Sequence, residues 1–363
     1  MNFSEEIIEW YQKHKRDLPW RNTNDPYIIW LSEIIMQQTR VEQGTPYFNR
    51  FVEKYPSVKH FASATEAEIL KLWQGLGYYS RGRNMHQTAQ AVMEEHAGYF
   101  PKNYESLIRL KGIGEYTAAA IASFSSNEAK AVVDGNVFRL LSRYFGIDTP
   151  INTGRGKKIF TDLANELIDK KQAGIFNQAM MEFGSLQCKP KNPVCIACPL
   201  QMTCEARLKN KIDKLPVKIK SQKSRERYFN YVLALKNDQI LVNKRRSGDI
   251  WENMIDLPLF ETESQAEIPE LVQSEKFVKA FGKQVLIRSV SEPVKHILSH
   301  QKLYTTFIRI ENFTENFHPD QSWFYVTREE LEKLPQPKLI FQFFENFFKL
   351  SNEPFINKYH VRD

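Results

Sequence analysis

Four cysteines within seventeen residues place the strongest constraint on how this chain can fold. They are Cys188, Cys195, Cys198 and Cys204, in the spacing C-x6-C-x2-C-x5-C. In a reducing compartment, thiolates clustered in this way hold a metal ion or an iron–sulfur cluster. Zinc stays open as the less favoured alternative, because four thiolates also suit a tetrahedral ion. The sequence therefore predicts that residues 188–204 form a loop closed around an inorganic group.

The first residues, the lengths of the apolar runs and the charge of the sequence indicate the compartment and the partner. The first residues do not resemble a signal peptide, and no apolar run reaches the length of a membrane span. We therefore expect a cytoplasmic protein without membrane contacts, in which disulfides are rare. The net charge is +7, and residues 211–227 hold seven Lys/Arg against two Asp/Glu, a net +5. Such a basic stretch favours a polyanionic partner.

The pattern of residue types changes near residue 228. Up to residue 208, short polar or Gly/Pro connections separate helical segments, and no β-alternation is found. Beyond it, runs rich in Tyr, Val, Leu and Ile indicate strands, and Asn237-Asp238 indicates a turn between two of them. We predict a multi-domain protein with an all-α domain over residues 1–208, a basic linker over 209–227 and a smaller α+β domain over 228–363.

Two helix assignments in the first domain are specific enough to test. Ser4 is predicted to cap a first helix whose apolar residues Ile7, Ile8 and Tyr11 share one side. Pro26 is predicted to open a single long helix from Tyr27 to about Gln43.

Two glycines, Gly112 and Gly114, stand one residue apart in Leu110-Lys-Gly-Ile-Gly-Glu-Tyr-Thr-Ala, before an apolar helical run. Glycine takes positive φ without strain and lets the backbone approach another group closely, which suits a tight hairpin between two helices. The free N–H groups at the start of the second helix form an anion site, and a DNA phosphate is a natural occupant. On its own this is a weak signal, compatible with an ordinary helix hairpin.

Glu33 lies in an apolar stretch of helix, where desolvation is expected to raise its pKa and keep it protonated near neutral pH. Trp30, Glu33 and Gln37 share a helix face by their spacing, and together they could hold a flat heterocycle. The alternative is a partly exposed helix glutamate without a role in catalysis.

Asp134 lies in Val133-Asp-Gly-Asn-Val137, and a carboxylate beside a helix N-terminus is expected to stay ionised. One protonated and one ionised carboxylate can cleave a glycosidic bond through an oxocarbenium-like transition state, and nucleosides contain such a bond.

The hairpin motif, Val-Asp-Gly-Asn-Val and the cysteine spacing together resemble the helix–hairpin–helix DNA glycosylases of the endonuclease III superfamily. Further motifs place the chain near the branch that removes adenine opposite 8-oxoguanine. These motifs are Leu18-Pro-Trp-Arg21, Trp30-Leu-Ser-Glu-x-x-x-Gln-Gln-Thr39, Gly75-Leu-Gly-Tyr-Tyr-Ser-Arg81 and Phe176-Asn-Gln-Ala-Met-Met181. The resemblance is dense over residues 1–205 and looser beyond. It implies a helix–hairpin–helix at about 105–125, a 4Fe-4S loop at 188–204 and a Nudix-like domain at 228–363.

The resemblance implies specific catalytic roles. Glu33 would protonate adenine at N7, and Asn136 would support Asp134 or the attacking water. Asp134 would stabilise the positively charged sugar through an ion-paired intermediate or, as a nucleophile, through a covalent one. Tyr116 occupies the position that is a Schiff-base lysine in the relatives that cut the strand, and a phenol cannot form that adduct. Lys111 stands before the hairpin and not at that position. The resemblance therefore implies a monofunctional glycosylase that removes a base without cutting DNA, and not an endonuclease III-like lyase acting on pyrimidine lesions.

Contacts to DNA are also implied. Trp20, Arg21 and Glu182 would line the adenine pocket, with Glu182 accepting from the exocyclic amine of adenine. Gln38 and Tyr78 would wedge into the duplex where adenine was flipped out, although Tyr78 could instead be an ordinary core aromatic. The implied partner is double-stranded DNA containing A:8-oxoguanine or A:G mispairs, bound by a monomer and, in a bacterium, at the nucleoid.

The second domain resembles the Nudix-like domain that reads 8-oxoguanine in this branch. We find no Glu-rich R-E-x-x-E-E helix for magnesium, so this domain is expected to bind and not to hydrolyse nucleotides. Leu298, Ser299 and His300 match the recognition loop, with Leu298 in place of the usual phenylalanine. Ser299 and His300 could hydrogen-bond a base that carries N7–H and O8. A polar turn between strands is the alternative for this loop.

Overall fold

The computed structural model describes residues 2–219, 224–317 and 322–351, and the chain divides into two compact units. The first comprises Met1–Ala64 and Asn84–Ser221, and the second comprises Thr65–Arg83 and Gln222–Asp363. The multi-domain prediction is confirmed, and the two units meet along the chain after residues 64, 83 and 221. Residues 65–83 group with the C-terminal part of the chain, which sequence texture alone did not indicate.

The first unit is helical, as predicted. Its helices are α1 (Phe3–His14), α2 (Pro26–Ile35), α3 (Val41–Lys54), α4 (Val58–Ser63), α6 (Ser80–Glu95, whose first residues belong to the second unit), α7 (Tyr104–Leu107), α8 (Glu115–Ser126), α9 (Gly135–Tyr144), α10 (Gly154–Leu167), α11 (Ala173–Leu186) and α12 (Glu205–Leu208). Ile7, Ile8 and Tyr11 of α1 are buried in one core with residues of α9, α10 and α11, such as Leu141 and Phe160. Burial of this apolar face is the main contribution that holds α1 in place.

Both specific helix assignments need correction. Asn2, not Ser4, caps α1, because its side chain accepts a hydrogen bond from the Glu5 backbone N–H at 3.0 Å. Ser4 instead donates to the Leu167 carbonyl at 2.6 Å. The long helix after Pro26 is two helices, since α2 ends at Ile35 and Gln38 adopts a left-handed φ of 56°. A right-handed helix cannot pass through that conformation.

The predicted linker is mostly part of an ordered unit. The Ile151 backbone N–H donates to the Val217 carbonyl at 3.0 Å, and Asn152 pairs with Ile219 through two hydrogen bonds. Residues 220–223 lie outside the described residues, and a strand begins at Arg225, inside the predicted linker.

The described residues of the second unit form an eight-stranded mixed sheet. The central strand β1 (Arg225–Lys236) pairs in parallel with β7 (Gln301–Glu311) and antiparallel with β2 (Gln239–Lys244), and Asn237-Asp238 forms the predicted turn between β1 and β2. The other strands are β3 (Ile255–Asp256), β4 (Leu259–Thr262), β5 (Leu286–Val290), β6 (Val294–Ile297) and β8 (Trp323–Val326). The helices are α5 (Glu66–Trp73), α13 (Ile268–Gln273), α14 (Glu275–Phe281), α15 (Arg328–Lys333) and α16 (Lys338–Ser351). Buried Phe277 and Phe281 of α14 share a core with β1 and β7.

Candidate active site

The hairpin between α7 and α8 has the geometry that the two glycines predicted, but only one of them requires glycine. Gly112 has φ 75°, and a Cβ there would lie 2.7 Å from the Cβ of Asn84. Gly114 has an ordinary φ of −92° and caps α8, where an added Cβ would meet nothing within 4 Å. The positive φ and the close Asn84 side chain thus require glycine at position 112. Position 114 has no such requirement and leaves open space at the N-terminus of α8.

Glu33 lies near the end of α2 and is partly buried. Its Oε2 accepts a hydrogen bond from the Tyr116 hydroxyl at 2.7 Å. Burial raises the pKa of Glu33 to about 7, although the Tyr116 hydrogen bond and the charge of Arg21 oppose the rise. The nearby charge of Asp134 adds to it. A carboxyl group with this pKa is protonated in a large fraction of molecules at neutral pH and can act as a general acid.

The aromatic predicted to share a recognition face with Glu33 is not available. Trp30 is only 1% exposed and packs against the rings of Tyr27, Phe61 and Phe100. Helical spacing placed Trp30 and Glu33 on related faces, but it could not show that the neighbouring helices cover the tryptophan. Gln37, the third residue of that face, donates to the Thr117 hydroxyl at 3.3 Å.

Asp134 is the N-cap of α9 and is held by three N–H donors. Its Oδ1 accepts from the backbone N–H groups of Asn136 and Val137, each at 2.8 Å, and its Oδ2 accepts from the Asn136 side chain at 2.7 Å. Burial raises the pKa of Asp134 above its ordinary value, and these hydrogen bonds and the charge of Arg139 only partly oppose the rise. The donors therefore favour the ionised carboxylate against the effect of burial.

Arg139 holds this N-cap turn and was not identified from the sequence. It is 8% exposed, and its Nη2 donates to Asn136 Oδ1 at 2.8 Å and to the Gly184 carbonyl at 2.6 Å. Gly184 of α11 lies so close to the turn that an added Cβ would be 2.7 Å from the backbone oxygen of Asn136. An Arg three residues after the Asn136 amide is the only sequence signal that could have indicated this support.

The charges of both carboxyl groups, Glu33 and Asp134, act on the phenol of Tyr116. Burial first, and then the charges of both Glu33 and Asp134, raise its pKa well above the usual value. The phenol therefore stays protonated and donates to Glu33. Tyr116, Glu33 and Asp134, taken from three different helices or caps, are thus brought into one electrostatic neighbourhood.

Arg21 and Glu182 form a buried ion pair that includes Arg16, a residue that sequence analysis missed. Glu182 is 1% exposed, and each of its oxygens accepts two N–H donors: Oε1 from the backbone and Nε of Arg16, and Oε2 from Nη2 of Arg16 and Nη2 of Arg21. Burial opposes ionisation, but these arginines lower the pKa of Glu182 to about 2. Trp20, in the short turn Pro19–Arg21, packs edge-on against Phe48 at 5.2 Å between ring centroids.

The two residues expected to wedge into DNA are each exposed and left-handed. Gln38 is exposed and has φ 56°, and Tyr78 is 45% exposed and has φ 47°. Non-glycine residues with positive φ are uncommon and are concentrated at functional sites. Tyr78 is therefore not an ordinary core aromatic.

The 298–300 segment is the turn between β6 and β7. The Leu298 backbone N–H donates to the Gln301 carbonyl at 2.8 Å, which closes the turn. Ser299 and His300 are exposed at its tip, and Leu298 is partly buried. The two polar side chains are thus available to a ligand from solvent.

The four cysteines line one common cavity with apolar residues and Arg143. All four thiols are free of disulfides, and the Arg143 guanidinium lies 3.5 Å from the Cys188 sulfur. Arg143 is 3% exposed and also donates to the carbonyls of Lys189 and Pro190. A buried cation beside four thiol groups fits an anionic thiolate-bound group. The four cysteines share this cavity, although among the described residues no three or more His, Cys, Asp or Glu already stand in a metal-ligand arrangement.

Comparison with known proteins places these features in a family. Residues 31–166 match the model of the HhH-GPD superfamily base excision DNA repair protein, and residues 230–346 match that of the NUDIX domain. A solved structure of a thermostable thymine-DNA glycosylase is similar with a TM-score of 0.54 and 29% identity, covering 57% of this chain and 95% of that chain. A trapped endonuclease III–DNA covalent intermediate, at a TM-score of 0.50 and 20% identity over 57% of this chain and 94% of that chain, shows the same fold.

One sequence relative extends over most of the chain, and another covers about half of it. The adenine DNA glycosylase of Buchnera aphidicola subsp. Acyrthosiphon pisum (strain APS) is 30% identical over 355 residues, covering 95% of this chain and 99% of that protein. The adenine DNA glycosylase of Homo sapiens is 40% identical over 214 residues, covering 56% of this chain and 39% of that protein. Within the part of the chain that the structure describes, no helix has both the length and the apolar character to cross a bilayer. The chain, a base excision repair glycosylase with a helix–hairpin–helix unit and a Nudix-like unit, belongs to the adenine DNA glycosylase (MutY) family.

Proposed function

We propose that the protein hydrolyses the N-glycosidic bond of adenine paired with 8-oxoguanine or guanine in double-stranded DNA. The observation that carries this proposal is the pair of carboxyl groups, Glu33 and Asp134, close enough for the charge of Asp134 to raise the pKa of Glu33 and of Tyr116, which donates to Glu33. Glu33 has a pKa of about 7, and Asp134 accepts three hydrogen bonds that favour its ionised form. An acid and an anion in one neighbourhood are what departure of a base from a sugar requires.

The reaction divides between these two groups. Glu33 donates its proton to N7 of adenine, the bond between C1′ and N9 breaks, and its electron pair leaves with the neutral base. Asp134 stabilises the positive charge that develops on the sugar. The oxygen of a water molecule then bonds to C1′, and the proton that it releases restores Glu33. Asn136, held by Arg139 Nη2 at 2.8 Å, keeps Asp134 oriented or positions that water.

Tyr116 makes the protein monofunctional in this proposal. The residue donates a hydrogen bond to Glu33 and offers no amine that could attack the sugar. Lys111, the nearby lysine, is exposed on the hairpin. Base removal would therefore leave an intact strand with an abasic site.

Trp20, Arg21 and Glu182 are proposed to surround the extruded adenine. All four acceptor positions of Glu182 are used by Arg16 and Arg21. Glu182 would therefore orient Arg21 in the free protein and accept the adenine amine after one arginine donor moves away. Arg16 has the more exposed side chain of the two, at 36% against 13% for Arg21, and is the better candidate to move.

The DNA contacts in the proposal come from exposed turns. Gln38 and Tyr78 would fill the space that the extruded adenine leaves. Gly112 and Gly114 would bring the hairpin backbone to a phosphate, and the open space beside Gly114 is consistent with that contact.

In the Nudix-like unit, Ser299 and His300 are proposed to recognise 8-oxoguanine. Changing both to alanine should lower the preference for 8-oxoguanine over guanine by about tenfold, because each lost hydrogen bond contributes about 0.5–1.5 kcal/mol. The measurement is the ratio of single-turnover rates on A:8-oxoguanine and A:G duplexes. An unchanged ratio would mean that this loop is only a turn between strands and does not recognise 8-oxoguanine. Ser291→Ala is not a suitable control, since Ser291 Oγ accepts from the Phe307 backbone N–H. Ser264→Ala, at an exposed serine of the same unit, is the matched control.

The cysteine loop is proposed to hold a 4Fe-4S cluster through Cys188, Cys195, Cys198 and Cys204. The cluster would hold the loop in shape and has no step in base removal. The common cavity, the free thiols and the buried cation at Cys188 support this assignment over scattered structural cysteines.

Purified protein should then be brown and absorb near 400 nm, with about four irons per chain. Arg143→Gln removes the guanidinium beside Cys188 and should make the colour fade faster in air, whereas exposed Arg155→Gln should not. A colourless protein containing one zinc per chain would contradict the cluster.

The proposed function is tested by incubating the full chain with four duplexes, which contain A:8-oxoguanine, A:G, T:G or an oxidised pyrimidine. We expect adenine release from the first two, and strand breaks only after hot alkali. Cleavage without alkali, with a borohydride-trapped adduct, would contradict the monofunctional assignment. Release of the oxidised pyrimidine in place of adenine would contradict the proposed substrate.

A further inference from the structure

The loop that carries Tyr78 is a compact turn within the second unit. It joins α5 to α6, and Gly75 and Gly77 have positive φ of 101° and 74°. The Gly77 carbonyl accepts from Trp73 Nε1 at 3.0 Å and from Arg81 Nη2 at 3.3 Å. The Arg81 guanidinium lies over the rings of both Trp73 and Tyr78, at 5.0 and 5.5 Å from the centroids. The loop has internal order, but its position in the unit depends on what holds its two flanking helices.

A second turn in the same unit, at residues 249–254, is fixed in an unusual conformation. Trp251 and Asn253 have φ of 62° and 61°. For a bulky residue such as tryptophan this backbone conformation is strained and persists only where the surroundings impose it. Arg245 imposes it, because its Nε donates to the Ile250 carbonyl at 2.9 Å and its backbone carbonyl accepts from the Asn253 N–H at 3.0 Å.

This strained turn contacts both helices that flank the Tyr78 loop. Asn253 Nδ2 donates to the side chain of Glu66, the first residue of α5, at 2.7 Å. Arg83, in the first turn of α6, donates through Nη1 to the Glu252 carbonyl at 3.0 Å, and its Nη2 lies 3.6 Å from the Glu252 carboxylate. One rigid turn therefore fixes the start of α5 and the start of α6 at once.

The end of α5 is held by another segment of the same unit. The Gln336 backbone N–H donates to the Gln74 side chain at 3.1 Å, and Lys71 Nζ donates to the Leu334 carbonyl at 3.2 Å. Gln74 is the first residue of the Tyr78 loop. Three separate attachments, at Glu66, Gln74 and Arg83, thus surround the loop.

We propose that Arg83 and Asn253 are positioning residues for base extrusion, which hold the exposed Tyr78 at a fixed place in the second unit. The inference rests on the proposed function, in which Tyr78 enters the duplex. A rigid side chain loses less conformational freedom when it inserts between bases than one on a mobile loop does. The strained conformation of the 249–254 turn brings the Glu252 carbonyl to α6 and the Asn253 amide to α5.

The test uses the full chain with Arg83→Gln and Asn253→Gly combined. Glycine tolerates the left-handed backbone at position 253 while removing the amide, so the turn itself is retained. Base extrusion is measured by the fluorescence of 2-aminopurine placed at the adenine position, and adenine release by single-turnover kinetics. We expect both to fall by about tenfold, while the midpoint of the pH profile stays near 7, because Glu33 is untouched. Arg328→Gln, which removes an exposed ion pair to Glu332 in the same unit, is the matched control and should change neither.

A double-mutant cycle with Tyr78→Ala separates positioning from general weakening. In the Tyr78→Ala background, the combined change should reduce the rate less than twofold, because the side chain that it positions is already gone. An equal tenfold loss in both backgrounds, or wild-type extrusion in the combined variant, would overturn the inference. Arg83→Lys in place of Arg83→Gln keeps the charge and a hydrogen-bond donor, so it should recover part of the rate. This recovery would distinguish a lost contact from a folding defect. If the unaltered chain releases no adenine from either mispair, the proposed function fails instead.

Discussion

Glu33→Gln should reduce adenine release by about 10²- to 10⁴-fold, the usual contribution of a general acid. The amide keeps the size of the side chain and can still accept the Tyr116 hydrogen bond, but it has no proton to donate to N7. Single-turnover kinetics on the A:8-oxoguanine duplex measures the loss. Binding of the same duplex should change little, because the backbone and the surrounding residues are unaltered.

Glu166→Gln is the matched control, since Glu166 is an exposed glutamate on α10 of the same unit. It should retain the wild-type rate. A Glu33→Gln protein that releases adenine at more than about a third of that rate would remove Glu33 from the mechanism. Loss of DNA binding together with activity would indicate a structural role.

The pH dependence follows from the same carboxyl group. In the proposed mechanism only protonated Glu33 donates to the base, so the rate should be maximal below pH 7 and fall about tenfold per pH unit well above it. The stability effect has a determined sign as well. The folded-state pKa of about 7 exceeds the usual 4.5, so the folded protein binds the proton more tightly than the unfolded chain does, and this contribution to stability is lost as pH rises between these values. Glu33→Gln should therefore raise the Tm more at pH 8 than at pH 5.

Asp134→Asn should reduce adenine release by about a thousandfold or more, with the fold retained. Asparagine is as good an N-cap as aspartate, so its side-chain oxygen can still accept from the N–H groups of Asn136 and Val137. The negative charge that we propose stabilises the developing positive sugar is lost, however, and preorganised charges are among the largest contributions to catalysis. The rate is measured on the same duplex, beside circular dichroism and a thermal melt.

Asp25→Asn is the control for this change. Asp25 is also an N-cap, accepting from the Tyr27 backbone N–H at 2.9 Å, but it is exposed at the start of α2. Its replacement should leave the rate unaltered. If Asp134→Asn kept more than about a tenth of the activity, Asp134 would act only as a helix cap, and the charge that stabilises the sugar would have to come from elsewhere.

Part of the site could be predicted because it depends on local sequence. The apolar neighbours of Glu33 predicted the direction of its pKa shift, and Gly112 predicted the hairpin. Helical spacing was weaker, because Trp30 proved to be covered by other rings. Arg16 was missed because its partner Glu182 lies 166 residues away along the chain, and no local pattern indicates such a pair. Arg139 was missed because its bond to Gly184 spans 45 residues, and its spacing of three residues from Asn136 is a weak signal by itself.

The sequence by itself determined the two fold classes and indicated the cysteine loop and the two candidate carboxyl groups, because hydrophobic periodicity, glycine and thiol spacing act over short distances. Only the tertiary structure decided that Tyr116 links Glu33 to the surroundings of Asp134, that Arg16 and Arg21 together saturate Glu182, and that residues 65–83 belong with the sheet. Burial and long-range hydrogen bonds create these properties. They exist only when helices distant in sequence pack together and exclude water.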